Sequence, residues 1–256
     1  MSNIIVIGSS NTDMVVKTER FPKPGETIVG GEFFLFAGGK GANQAVAAAK
    51  LGGEVQFVAR VGDDLFGRKA VEGFREVGID CSHVGTDPKQ ASGTALITVD
   101  ASGENSIVVA PGANGALLPI HLEAVDFSTA QLVLMQLETP LETILAAVRS
   151  APGKCVLNPA PARVLPDELL SGLYCITPNE SETELLTGVL PTDLASCARA
   201  ANLLHDKGVR HVIITRGADG AFYSDGVVPF TVPAPPVTAV DTNASGDTFN
   251  GALVVG

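Results

Sequence analysis

The segment Asp241-Thr242-Asn243-Ala244-Ser245-Gly246-Asp247-Thr248-Phe249-Asn250-Gly251-Ala252 sets small residues ahead of an apolar-periodic run, with a carboxylate at the turn between them. The pattern predicts a loop opening a helix, with unpaired backbone N–H groups at its mouth. Those groups and the helix dipole attract phosphate, which an acid in the same place repels. Both are useful together if Asp247 takes a proton while the N–H groups hold the charge that develops nearby. The chemistry suggested is phosphoryl transfer to a hydroxyl. An ordinary capped helix is the other reading, because Asp is common in first turns.

A second glycine-rich segment is Gly38-Gly39-Lys40-Gly41-Ala42-Asn43-Gln44. It lacks the GxxxxGK[ST] of a P-loop, and no GxGxxG follows the first strand. Its glycines permit close backbone approach at the start of an Ala-rich helix. Lys40 and Asn43 lie one helical turn apart and point the same way. A donor-only group beside an amide suits a polyhydroxylated ligand. A solvated Lys and a capping Asn would look the same in sequence.

The elements that must position these groups read as alternating strands and helices. Apolar runs recur at Ile4–Ile7, Val55–Val61, Leu132–Leu137, Cys155–Leu157, Tyr174–Ile176 and Val212–Ile214, nearly continuous as in strands buried on both faces. Helical patterns lie between them at Gly41–Leu51, Leu65–Val77, Pro140–Arg149, Glu180–Thr187 and Leu194–Lys207, most followed by a glycine. The alternation implies a parallel sheet with helices on both faces. Polar residues follow the strands: Asn11 and Asp13, then Glu138, Asn158, Asn179 with Glu180 and Glu182, and finally Thr215 and Gly217. Ligands of such sheets bind beyond the carboxyl ends of the strands. Two segments break the rhythm, Thr12–Ala37 and the hairpin Gly93–Ala110. Their strands are expected to be antiparallel and to form a small separate sheet, either a lid or simple edge strands. Exposed Phe34 and Phe36 there would suit a dimer surface.

Bulk composition narrows the class. With 45% hydrophobic residues, 28 Gly, 16 Pro and 18% charged residues, the chain reads as compact and turn-rich rather than disordered. A net charge of −11 argues against nucleic acid or an anionic membrane as main partner. Cys81, Cys155, Cys175 and Cys197 form no CxxC pair and read as inert thiols of a reducing compartment. The four histidines show no metal-ligand spacing. Met1-Ser2-Asn3 runs straight into a strand without a signal-peptide pattern, and no apolar run reaches the roughly 18 residues of a membrane span. A cytoplasmic location is expected.

Together the motifs resemble the ribokinase-like sugar kinases, the pfkB carbohydrate kinase family. The residues that carry this are Gly38-Gly39-Lys40-Gly41-Ala42-Asn43-Gln44-Ala45, Gln136-Leu137-Glu138, Asn158-Pro159-Ala160-Pro161-Ala162, Thr177-Pro178-Asn179-Glu180-x-Glu182 and Gly246-Asp247-Thr248-Phe249-Asn250-Gly251-Ala252. The resemblance runs in order over essentially the whole chain. The last motif marks the family; the first and third point to its members acting on ribose. It implies an α/β three-layer sandwich, with a mostly parallel central sheet flanked by helices and a small β-sheet lid. The main domain would comprise residues 1–11, 38–92 and 111–256, and the lid 12–37 and 93–110, the latter supplying a homodimer surface.

The activity implied is ATP-dependent phosphorylation of the 5-hydroxyl of D-ribose. By motif position, Asn11, Asp13, Gly39, Lys40, Asn43 and Glu138 would bind the sugar and Asp247 would be the general base. Ala244, Ser245 and Gly246 would offer N–H groups to the transferring phosphate. Asn179, Thr215, Gly217 and Gly220 would border the nucleotide. Glu182 would hold Mg2+ through water, while Asp241 and the Asn243 carbonyl would belong to a site for activating K+. Three departures from the family pattern stand out: Ser245 in place of Ala or Gly, Arg216 after Thr215, and a chain ending at Gly256, about two turns past Asp247. Family members continue further and so complete the adenine pocket and cation site. The alternatives are a kinase for another furanose sugar or nucleoside, and a catalytically silent sugar- or nucleotide-binding fragment.

Overall fold

The structure, a computed structural model, describes residues 3–238 and 243–256. The chain opens with β1 (Asn3–Ile7), β2 (Asn11–Lys17), β3 (Glu32–Gly38), α1 (Lys40–Lys50), β4 (Glu54–Gly62), α2 (Leu65–Glu76) and β5 (Asp80–Asp87). Next come β6 (Gly93–Val99), β7 (Asn105–Ala110), β8 (Leu132–Met135), α3 (Leu141–Ser150), β9 (Cys155–Leu157), α4 (Asp167–Ser171) and β10 (Cys175–Ile176). The remainder is α5 (Glu180–Thr187), α6 (Leu194–Asp206), β11 (His211–Thr215), β12 (Ala221–Ser224), β13 (Phe230–Val232) and α7 (Ser245–Leu253).

Nine strands form one sheet in the order β13-β12-β11-β10-β9-β8-β1-β4-β5. It is parallel from β5 to β11, and β12 and β13 add antiparallel to one edge. Alternate residues of β1 feed two separate cores. Ile5 and Ile7 pack with α3, α4 and α6, whereas Ile4 and Val6 pack with α1, α2 and α7. This two-sided burial is why the strand is continuously apolar, each such side chain contributing about 1.5–3 kcal/mol. The chain leaves β1 for β4 and β5 on one side, then returns as β8 on the other. The crevice beyond the carboxyl ends of β1 and β8 is the place where such sheets bind ligands.

The second sheet has the order β3-β2-β6-β7. Each hairpin is antiparallel as expected, but the two join through a parallel pair, Asn11↔Gly93 to Lys17↔Val99. The expectation of antiparallel pairing throughout is therefore corrected. Both hairpins leave the large sheet near the same end, so β2 and β6 set out in the same direction. Phe36 is exposed as foreseen, whereas Phe34 is half covered, with Phe36 stacked at 6.0 Å and the Lys17 ammonium 5.4 Å from its ring.

The base of this sheet is tied to the large one by side chains. Asp64 caps α2 through Gly67 N–H at 2.8 Å and also accepts from Ser92 N–H and Oγ–H, each at 2.7 Å, just before β6. Burial pushes the Asp64 carboxyl up, but the bonds from Ser92 and Gly67 outweigh it and hold the group below its ordinary value. A carboxyl lowered on folding adds stability above its unfolded value and loses it as pH falls through the folded one. Asp64→Ala is expected to lower the unfolding free energy by about 1–2 kcal/mol at neutral pH, with the deficit shrinking in acid. Urea melts at pH 7 and near pH 3 measure this, and an equal deficit at both would contradict it.

Candidate active site

The site forms where α7 lies against α1. Their close approach needs Gly251, since a Cβ there would sit 2.6 Å from Ala47 Cβ and 2.8 Å from the Gln44 carbonyl oxygen. Asn250, one residue earlier, is buried, accepts from Thr177 Oγ–H at 2.6 Å and donates to the Gly246 carbonyl at 2.8 Å. These contacts fix the roll of α7, so that Asp247 in its first turn faces α1. One carboxylate oxygen of Asp247 accepts from Gln44 Nε2 at 2.9 Å and the other from Asn43 Nδ2 at 3.1 Å. Ala244, the N-cap of α7, has φ of 54°, and its methyl side chain offers no capping bond. Ser245 and Gly246 then precede the first bond of the ladder back to Ala244, from Thr248 N–H at 2.9 Å.

Charge gathers round this carboxylate. Burial raises the Asp247 carboxyl above its ordinary value, opposed by the Gln44 and Asn43 hydrogen bonds and by Lys40, and reinforced by Glu138. Burial likewise raises Asp13, with Glu138 adding to it. Glu138 follows β8 and is gripped from two elements, by Ser9 Oγ–H after β1 and by the Lys40 backbone N–H at 2.9 Å. Gly39 makes that junction possible: its φ is 90°, and a Cβ would meet Asn11 N at 2.7 Å. Asp13, Glu138, Lys40 and Asp247 thus form one electrostatic group at the junction of β2, β8, α1 and α7.

Two cavities adjoin it. One, about 290 Å³, is polar and bounded by Lys40, Asn158, Asn179, Glu182, the Asn243–Asp247 turn and Asn250. The other, about 780 Å³, is mainly apolar, with Ile213, Tyr223, Phe230, Val232, Phe249 and Leu253 among its walls and Gly217 and Gly220 at its edge. Asn179, Thr215, Ser245 and Gly246 belong to both, so the first turn of α7 stands between a polar and an apolar chamber. Glu182 is buried and forms a capping box with Asn179, donating nothing and accepting Asn179 N–H at 2.9 Å. Burial raises its carboxyl against that bond and against Lys40.

Asn179 does what an ordinary capping Asn does, its side-chain oxygen accepting Glu182 N–H at 2.8 Å, and also borders both cavities. Asn11 turns its side-chain oxygen to Asn114 Nδ2 at 2.7 Å and borders a separate 350 Å³ cavity between β3, α1 and α2. Arg216 reaches away to the Thr192 carbonyl and Asp219, and is absent from the walls of both chambers. Asp241 lies outside the described residues. Of the thiols, Cys155 and Cys175 are buried and pushed up to about 12 by burial.

Sequence reasoning gave no role to Gln44, Ser9, Asn114 or Asn250, and placed Asn158 only as a polar residue beyond its strand. Gln44 carried a usable signal. It falls between Ala42 and Ala45 on the buried face of α1, where an amide without a partner is costly.

The sequence profile of the pfkB family carbohydrate kinases matches residues 1–256, and the chain belongs to that family. It is 46% identical to the ribokinase of Haemophilus influenzae over 98% of this chain and 84% of that one. It is 41% identical to a deoxyribokinase of Salmonella typhi, with 98% and 84% covered. Among solved structures, Arabidopsis thaliana ribokinase complexed with ribose and ATP superposes with a TM-score of 0.93 at 32% identity, covering 100% of this chain and 86% of that one.

Proposed function

We propose that this chain transfers the γ-phosphoryl group of ATP to the 5-hydroxyl of D-ribose. The observation that carries the reading is Asp247, a buried carboxylate aimed by two amides at the mouth of α7, between a polar and an apolar chamber. A sugar hydroxyl is a poor nucleophile, and a positioned base is worth roughly a hundred- to ten-thousand-fold. Asp247 accepts the hydroxyl proton. Asn43, Lys40, Asp13, Glu138, Asn11 and Gly39 hold the pentose. The N–H groups of Ala244, Ser245 and Gly246 receive charge on the transferring group, where fixed dipoles cost no reorganisation. The apolar chamber takes the base of the nucleotide, with Thr215, Gly217 and Gly220 beside it and Asn179 towards its phosphates.

Glu182 fits a role in holding Mg2+. It is a buried carboxylate with one oxygen engaged by Asn179 N–H, on the wall of the polar chamber, and hard cations take oxygen ligands with several waters. Bound there, the metal would neutralise charge on the phosphates. Activation by K+ through Asp241 and Asn243, a cytoplasmic location, closure of the small sheet as a lid and dimerisation through its strands belong to the same reading. No helix among the described residues is long and apolar enough to cross a membrane.

The deciding assay is ADP release with ribose, 2-deoxyribose, fructose and adenosine, with and without K+. The deoxyribokinase relative makes 2-deoxyribose the sharpest competitor. Preference for any of the others over ribose would overturn the substrate, and ligand binding without ADP would overturn the activity. The pH profile adds a check. The base acts ionised, and its burial sets it above the ordinary aspartate value of 3.8. The acid limb of kcat/KM should therefore fall at higher pH than for an exposed aspartate; a limb at or below 3.8 would exclude Asp247.

A further inference from the structure

We propose that Gln136, which borders neither chamber, is a positioning residue that fixes the hydrogen-bond direction of Gln44 and so aims the base. The inference rests on the reading of Asp247 given above. An ionised carboxylate can only accept hydrogen bonds. Gln44 must therefore turn its Nε2 to Asp247 Oδ1, at 2.9 Å. The second hydrogen of that nitrogen goes to Asn158 Oδ1 at 3.0 Å, leaving Asn158 Nδ2 to donate to the Thr177 carbonyl at 3.3 Å. The Gln44 oxygen then faces away from the site and needs a donor. Gln136 Nε2 supplies it at 2.6 Å.

The direction of each amide follows from the charge at one end of the chain. Gln44 and Gln136 are buried and border neither chamber, so neither can exchange its partner for water. Gln136 gives up a bond of its own to serve this arrangement. Its Oε1 is buried against Gly8 with no hydrogen-bond partner among the described residues. Turned over, Gln136 would set two carbonyl oxygens against each other at the contact with Gln44. With Gln44 held as donor, Asp247 Oδ1 is committed. Oδ2, touched only by the half-buried Asn43 among these amides, is the oxygen that takes the proton from the sugar hydroxyl.

Two substitutions test the relay in steady-state kinetics with ribose and ATP. Gln136→Met keeps the volume and removes the donor. Gln136→Glu keeps the shape and, assayed above the pH at which its buried carboxyl ionises, presents only acceptors, which drives Gln44 to turn its oxygen towards Asp247. The expected result is a kcat lower by about tenfold for Met and lower still for Glu, with the ribose KM within about twofold of the parent. A packing role predicts the reverse order, since Glu is closer in shape. Normal kcat in the Met variant, equal movement of kcat and KM, or a milder Glu variant would each overturn the proposal. Should neither variant fold, neutron diffraction of the parent in D2O decides. Deuterium on Gln136 directed at the Gln44 oxygen supports the relay, and a Gln44 oxygen facing Asp247 overturns it. Full turnover in Asp247→Asn removes the underlying assignment of the base; a dead Asp247→Asn with unaffected Gln136 variants removes the relay alone.

Discussion

Asp247→Asn should cut turnover by roughly 10² to 10⁴ while the chain still folds and still binds ribose. The substitution keeps the shape of the side chain and the acceptor facing Gln44, so the contact of α7 with α1 survives. The other end of the new amide meets Asn43, which is only half buried and can turn over. What disappears is the ability to take a proton. Stability should not fall with activity. Burial raises the Asp247 carboxyl on folding, so its favourable contribution exists below the unfolded value and is gone once pH rises through the folded one. At neutral pH the ionised group is a burden on the fold, and a neutral amide lifts it. ADP release, ribose calorimetry and urea melts on the same preparation separate these effects. Near-normal turnover would show that another group accepts the proton. Loss of ribose binding together with turnover would show that Asp247 acts chiefly as a sugar ligand.

Gly251→Val is expected to be nearly as damaging to turnover, though Gly251 borders neither chamber. Even a Cβ at this position lies within 3 Å of Ala47 Cβ, the Gln44 carbonyl and the Ala48 nitrogen, and most of those atoms are backbone that cannot move aside. Valine adds two methyl groups to that collision. The relief available is to tilt α7 away from α1, which parts Asp247 from Gln44 and Asn43. Overpacking of this kind costs about 1–3 kcal/mol, and misplacing a reacting group by about an ångström costs around a hundredfold in rate. Gly73→Ala in α2 serves as the control, because nothing lies within 4 Å of its added Cβ and alanine favours the helix. A Gly251→Val enzyme with parental kcat would mean that the α1–α7 contact does not set the base.

Much of the large sheet was legible because strands buried on both faces must be continuously apolar, as Ile4–Ile7 and Val212–Ile214 are. The edge strand β5, Asp-Cys-Ser-His-Val-Gly-Thr-Asp, was not, because one flank faces solvent and its polar residues hide the period. The added strands β12 and β13 escaped because they are only four and three residues long, too short to show a period, and β13 is exposed along its length. At the site, Asp247 and Asn43 stood out through their neighbours in sequence. Gln44 did not, since its importance depends on α7 arriving from far along the chain. The parallel pairing of β2 with β6 was equally hidden. Each hairpin is written in its own local sequence, but the join between them depends on where the large sheet releases both.

That join has a kinetic corollary. Asn11 can meet Gly93 only after the intervening chain, with α1, β4, α2 and β5, has found its place, so the seam closes against a large loop entropy. The small sheet should therefore assemble last and come apart first. Amide protons along β6 should exchange with solvent long before those of β1, and substitutions at the seam should speed unfolding while leaving the refolding rate almost untouched.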